Sequence, residues 1–251
     1  MLFRTGRNIF RWLSKHIIYS GRRATQSLCL LLVLAVLVSC GSIISKRSDQ
    51  TISQAPLDIN DTTAHAEYLK EIERQVIIEI NMMRNDPPEY ARRYLVPIRK
   101  YYHNKILQFP GEIGISTVEG LRALDECIKQ LQTNKSLLPL SPKKGLVFAA
   151  RDHAEDLERT GKTGHTGSDG STMGARLNRY GRWQISIGEN ISYGHEDARK
   201  IVTSLLIDDG VSSRGHRRNL LNGTFKFVGV AVGQHRVHRY MCVIDFAGAY
   251  N

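Results

Sequence analysis

The sequence predicts an α+β layered domain over residues 64–251. Helical periodicity fills the first half of that span, short β-rich runs gather near its end, and no internal repeat interrupts the order. The chain has 251 residues, 41% of them apolar and 24% charged. This is ordinary globular composition, and only one apolar run approaches the character of a membrane segment. The formal net charge is +11. Arg4, Arg7, Arg11, Lys15, Arg22 and Arg23 lie in residues 1–39 with no acid among them, which leaves +5 for the rest. That remainder is mildly basic and does not indicate a wide nucleic-acid groove, so no nucleic-acid partner is expected.

Residues 1–39 read as an export leader. The unbroken apolar run Leu28 to Val38 is eleven residues long, too short to span a bilayer comfortably and suited to a secretory signal. Leu37-Val38-Ser39-Cys40 resembles the bacterial lipobox, which implies acylation of Cys40 and a membrane partner through that lipid anchor. Gly41 rather than Asp follows Cys40, so the resemblance places the anchored protein in the outer membrane of a Gram-negative host. Residues 40–63 are polar, lack apolar periodicity and read as a flexible tether.

The folded elements follow in order. From Thr63 a helix carries Leu69, Ile72, Val76, Ile80 and Met83 on one face until Pro87 and Pro88 stop it. Residues 97–115 form an irregular connection. Ser116-x-x-Glu119 reads as a capping box opening a second helix with Val118, Leu121, Leu124, Ile128 and Leu131. Ser141 and Pro142 supply an N-cap and a first-turn proline for a third, with Leu146, Ala149, Ala150 and Leu157 on its apolar side and glycines at 161 and 164 at its end. Asp169 and Ser171 read as caps of a short helix from Met173 to Tyr180. Ala198, Ile201, Val202, Leu205 and Leu206 mark another, closed by Gly210. Phe227–Val232 and Tyr240–Phe246 predict an antiparallel hairpin, with Ile187–Tyr193 as a third strand.

Three glycine-bearing segments place imidazole and carboxylate groups where backbone can approach a site closely. They are Gly164-His165-Thr166-Gly167-Ser168-Asp169-Gly170-Ser171, Gly188-Glu189-Asn190, and Arg214-Gly215-His216 running on to Asn219 and Asn222. Their order and spacing resemble the CAP superfamily of cysteine-rich secretory, antigen 5 and plant pathogenesis-related proteins, in its plain bacterial form. Ile80-Asn81-Met82-Met83-Arg84-Asn85-Asp86-Pro87-Pro88 and Val228-Gly229-Val230 add to the likeness, which covers roughly residues 66–247. The resemblance implies a three-layer α-β-α sandwich with a small antiparallel sheet and a cavity lined by two histidines and two acids. By position these are His165, Glu189 and His216, with Asp208, rather than Asp209, as the second acid. The cysteine-rich tail of animal members is missing, so channel modulation is not implied.

Two neutral imidazoles converging on a cavity suit a divalent metal such as zinc, with the carboxylates fixing their tautomers. Two ligands fall short of the usual three, so the expected site is weak and open. The other reading is a buried hydrogen-bond network without metal. The functional expectation is a CAP-like protein anchored in the bacterial envelope that binds a metal and a lipid, peptide or cell-wall ligand. The alternative is a metal-dependent hydrolase, such as a peptidase, with Glu189 as general base. No residue has the context of a nucleophile. His153 reads as a core histidine, His235 and His238 as solvent-facing, and Trp183 as either cavity wall or core. Cys127 and Cys242 are either a disulfide or two small buried hydrophobes.

Overall fold

A computed structural model of the chain describes residues 61–251. The leader, Cys40 and the tether up to residue 60 lie outside the described residues. Folded contacts reach back into the end of the expected tether. The Thr62 hydroxyl donates to the Leu140 carbonyl at 2.8 Å, and Thr63 is fully buried.

The helices are α1 (Glu71–Asn85), α2 (Pro87–Tyr90), α3 (Leu121–Thr133), α4 (Lys144–Thr160), α5 (Met173–Leu177), α6 (Ala198–Ile207) and α7 (Gly215–Leu220). A π-helical turn over Ala91–Leu95 and a 3-10 turn over Val96–Tyr101 follow α2. The strands are β1 (Tyr102–His103), β2 (Ile106–Leu107), β3 (Ile115–Ser116), β4 (Ser141–Pro142), β5 (Trp183–Tyr193), β6 (Phe227–His235) and β7 (Arg239–Tyr250).

The main sheet has the order β4-β6-β7-β5, with β4 parallel to β6 and the other pairs antiparallel. The short strands β1, β2 and β3 form a separate antiparallel sheet. Helices α4 and α5 pack on the main sheet from one side, while α1, α6 and α7 pack against it with α3 behind them. This is the expected α-β-α sandwich, with the principal core between the α1 layer and the sheet. Close approach on the α4 side depends on Gly229, since a Cβ there would collide with the backbone of Leu146 and Val147.

The predicted hairpin and third strand are present, each longer than its apolar run. Several helix starts differ from expectation, and before α3 and α4 the cause is a long-range partner in place of a local cap. α1 starts at Glu71 rather than Thr63, after a turn in which Asp61 accepts from the Thr63 amide and hydroxyl. α3 starts at Leu121, and Ser116 lies in β3 rather than capping a helix. The amides of Val118 and Glu119 instead donate to the Asp209 carboxylate at 2.6 and 2.8 Å, and Glu119 turns its own carboxylate to Arg214.

Ser141 and Pro142 form β4, because the Ser141 and Lys143 amides bond to the Lys226 and Val228 carbonyls. α4 therefore starts at Lys144 and ends, as expected, at Gly161, whose φ of +68° is left-handed. The hydroxyl capping α5 belongs to Thr172, which accepts from the Ala175 amide; Asp169 accepts from the Ser171 amide, and the helix stops at Leu177. α6 closes at Asp208 in the left-handed conformation, two residues before Gly210. The connection between residues 97 and 115 contains the end of the 3-10 turn and the first two strands. Cys127 and Cys242 are free, buried thiols, so the disulfide alternative is excluded, and burial pushes the Cys127 thiol up to about 12.

Candidate functional site

The edge strand β5 carries the Gly188-Glu189-Asn190 segment. Gly188 is required there by close packing: a Cβ would lie 2.9 Å from the Phe225 ring and 3.1 Å from Asn219 Oδ1. Adjacent strand residues face opposite sides, so Glu189 and Asn190 address different layers. Glu189 points to the α5 side, where it meets His165 and Arg176. Asn190 donates to the His216 carbonyl at 3.0 Å and accepts from Asn219 at 2.8 Å, which ties α7 to the strand.

Two histidine–carboxylate pairs result. His165 Nδ1 lies 2.7 Å from Glu189 Oε1, and His216 Nδ1 lies 2.7 Å from Asp208 Oδ1. Asp208 is thus the partner of the second histidine. Its left-handed backbone, at φ +55°, is a conformation that Asp tolerates better than most residues, and it lets the short side chain turn back onto α7. The same carboxylate accepts from the His216 and Arg217 amides at 3.0 and 3.3 Å. Asp209 is spent on the start of α3, so the choice between the two acids follows from their backbone partners.

Around the first pair the charge is layered. Arg176 is 1% exposed, donates to Glu189 Oε2 at 2.7 Å, and holds the His165 and Ser171 carbonyls. Burial alone would raise Glu189, but the bond from His165 and the Arg176 charge outweigh it and hold the carboxyl below its usual range. His165 is raised in return, chiefly by its bond to Glu189. Beneath them Asp245, across the strand from Glu189, is fully buried, and neither carboxyl oxygen has a hydrogen-bond partner among the described residues. Burial, followed by the Glu189 charge, pushes the Asp245 carboxyl well above its usual range.

His153 is a core histidine, as expected. Its ring Nε2 donates to the Gly164 carbonyl at 2.8 Å, pinning the loop one residue before His165, and burial lowers its basicity. Trp183 is neither core nor deeply buried: it is 36% exposed at the start of β5 and lies against Gly174 of α5. The motifs in the sequence do not mark Arg176 or Asp245. An arginine in a short helix reads as a solvent-facing residue, but an acid inside Val243-Ile244-Asp245-Phe246 is an available signal.

With each Nδ1 bonded to a carboxylate, the proton sits on Nδ1 and the Nε2 lone pair is left to act as a ligand. The donor chemistry therefore suits a divalent ion at either imidazole. Among the described residues, however, no group of three or more His, Cys, Asp and Glu is arranged as a metal cage. Glu189 has both oxygens engaged, by His165 and Arg176, which leaves it poorly placed to take a proton from water.

The three layers and the two histidine–acid pairs, one of them drawing its acid from the edge strand, have the form of a CAP domain. The cysteine-rich secretory protein family model matches residues 82–246, and the chain belongs to that family. Among solved structures the chain is similar to an outer surface protein from Borrelia burgdorferi, at 21% identity and TM-score 0.38, over 49% of this chain and 84% of that one. It is also similar to an extracellular protein containing an SCP domain from Bacillus anthracis, at 28% identity and TM-score 0.38, over 44% of this chain and 34% of that one. Comparison with curated proteins gives no match.

Proposed function

We propose that this CAP domain is an extracytoplasmic binding module, held to the bacterial envelope through lipidated Cys40. It uses His165 and His216 to bind a divalent ion such as zinc next to a lipid, peptide or cell-wall ligand. The observation that carries this reading is the matched 2.7 Å contact of each imidazole Nδ1 with a buried carboxylate. Such contacts fix the tautomer and raise ligand basicity. The leader and the Leu37-Val38-Ser39-Cys40 sequence support the envelope location. Two imidazoles without a third protein donor hold an ion weakly and exchangeably, leaving coordination positions for water or ligand. The binding reading is preferred to the hydrolase because Glu189 is already committed on both oxygens.

Calorimetric zinc titration, paired with urea melts in chelator and in zinc, tests the proposal on wild type, His165→Ala and His216→Ala. Zinc should stabilise the wild type by mass action, and each alanine variant should lose that gain. Identical zinc-induced shifts in all three proteins would overturn the assignment.

A further inference from the structure

The end of the β6–β7 hairpin and the last turn of α4 border an open pocket of about 450 Å³, separate from the histidine pairs in its lining. Arg159, Arg236 and Arg239 line it together with Tyr240, and Glu158 and Gln234 add an acid and an amide. Arg159 is engaged by Asp156 at 2.5 Å. Arg236 and Arg239 form no ion pair among the described residues, although Glu158 shares the lining, and the Arg239 guanidinium lies 5.8 Å from the Tyr240 ring centroid.

The base of this cavity is firmly built. His235, expected from the sequence to face solvent, is 2% exposed. Its Nε2 donates to the Lys162 carbonyl at 2.9 Å, and its Nδ1 accepts from the Val237 and His238 amides, both at 3.2 Å. The first bond anchors the turn to the chain leaving α4, and the other two close the turn on itself. Tyr193 packs edge-on against His235, with ring centroids 5.3 Å apart. The turn ends at Arg239 with φ +69°, a left-handed position where glycine would be less strained. An arginine thus holds a strained backbone position at the rim of the same pocket that Arg236 lines.

We infer that this cavity binds a phosphate ester carrying free hydroxyls. Arg236 and Arg239 clamp the phosphate, and Glu158 and Gln234 accept from the hydroxyls. Paired guanidiniums offer forked donors that match phosphate oxygens, and the volume lies in the range of small-molecule sites. A carboxylate beside the clamp disfavours a bare anion and favours a ligand with its own donors. Val237, 70% exposed between the basic residues, adds an apolar tip. The same phosphate chemistry is available from a soluble ester and from a phospholipid headgroup.

The test uses the full-length chain, isotope-labelled at arginine and held in uncharged detergent micelles. It is titrated in turn with inorganic phosphate, with glycerol 3-phosphate and with phosphatidylglycerol doped into the micelles. Saturable shifts of the Arg236 and Arg239 side-chain resonances are expected with at least one glycerol-bearing probe, tenfold or more tighter than with inorganic phosphate. Arg236→Gln should weaken that binding tenfold or more, read at Arg239, and Arg236→Gln with Arg239→Gln should abolish it, read at Arg159 of the same lining, while the rest of the spectrum stays in place. A response to the doped micelles alone identifies a headgroup site, and a response to the soluble ester alone identifies a free ligand. No saturable shift, equal affinity for inorganic phosphate, or binding that survives in the double variant would overturn the inference.

Discussion

Glu189 and Asp208 each accept an imidazole Nδ1–H at 2.7 Å, yet the two acids are balanced by different means. Glu189 relies on a side chain, the buried guanidinium of Arg176, and has the fully buried Asp245 beneath it. Asp208 relies on backbone, the amides of His216 and Arg217 in the first turn of α7. The histidines differ as well: the His165 side chain is 57% exposed and that of His216 is 24% exposed. The first pair is therefore an open group whose charge is set from below. The second is part of a helix start, where stability and site geometry share the same atoms.

This contrast is broken most severely by removing Arg176. Arg176→Met keeps the apolar stem but strands a buried carboxylate and the His165 and Ser171 carbonyls, so it should cost about 3–5 kcal/mol in a urea melt. A loss below about 1 kcal/mol would mean that solvent, rather than Arg176, balances Glu189. Asp208→Asn should cost less, about 1–2 kcal/mol, because asparagine tolerates the left-handed backbone and keeps one acceptor for the α7 amides while losing the charge-assisted bonds. The same melts compare the two variants directly. A cost for Asp208→Asn equal to that for Arg176→Met would erase the distinction between side-chain and backbone compensation.

How far the sequence reaches follows the same division. His165, Glu189 and His216 are legible because they stand among glycines in an order that a family pattern captures, and Asp208 follows by position. Gly188 shows the physical root of that pattern, since its missing Cβ is the space used by Phe225 and Asn219. What the sequence hides is supplied from far along the chain. The start of α3 is set by Asp209, roughly ninety residues later, so the local Ser116-x-x-Glu119 signal misleads. Ser141 and Pro142 look like a helix start but pair with β6, whose strand is written more than eighty residues downstream. Arg176 and His235 look like surface residues until tertiary packing closes over them. Alternation and periodicity report which face of an element is apolar, not which polar group another segment will cover.

The smallest expected effect concerns pH, and it separates the open pair from its environment. His165 is raised in the folded state because Glu189 accepts its proton-bearing nitrogen. Its stabilising contribution is therefore fully present below the unfolded histidine value, near about 6.5, and is lost as pH rises through the higher folded value. Glu189 is lowered, so its contribution is present above the unfolded carboxyl range and disappears as pH falls through the folded value. The charged pair is complete only between those limits. His165→Gln removes the imidazole and its titration, so the stability difference from wild type should be greater at pH 6 than at pH 9. With more than half of the His165 side chain in water, solvent screening keeps that change under about 1 kcal/mol. Urea melts of both proteins at the two pH values, in chelator so that no metal contributes, measure it. A difference that grows toward pH 9 would show that His165 is held in its neutral form, and that Glu189 acts on it as a tautomer lock without stabilising its charge.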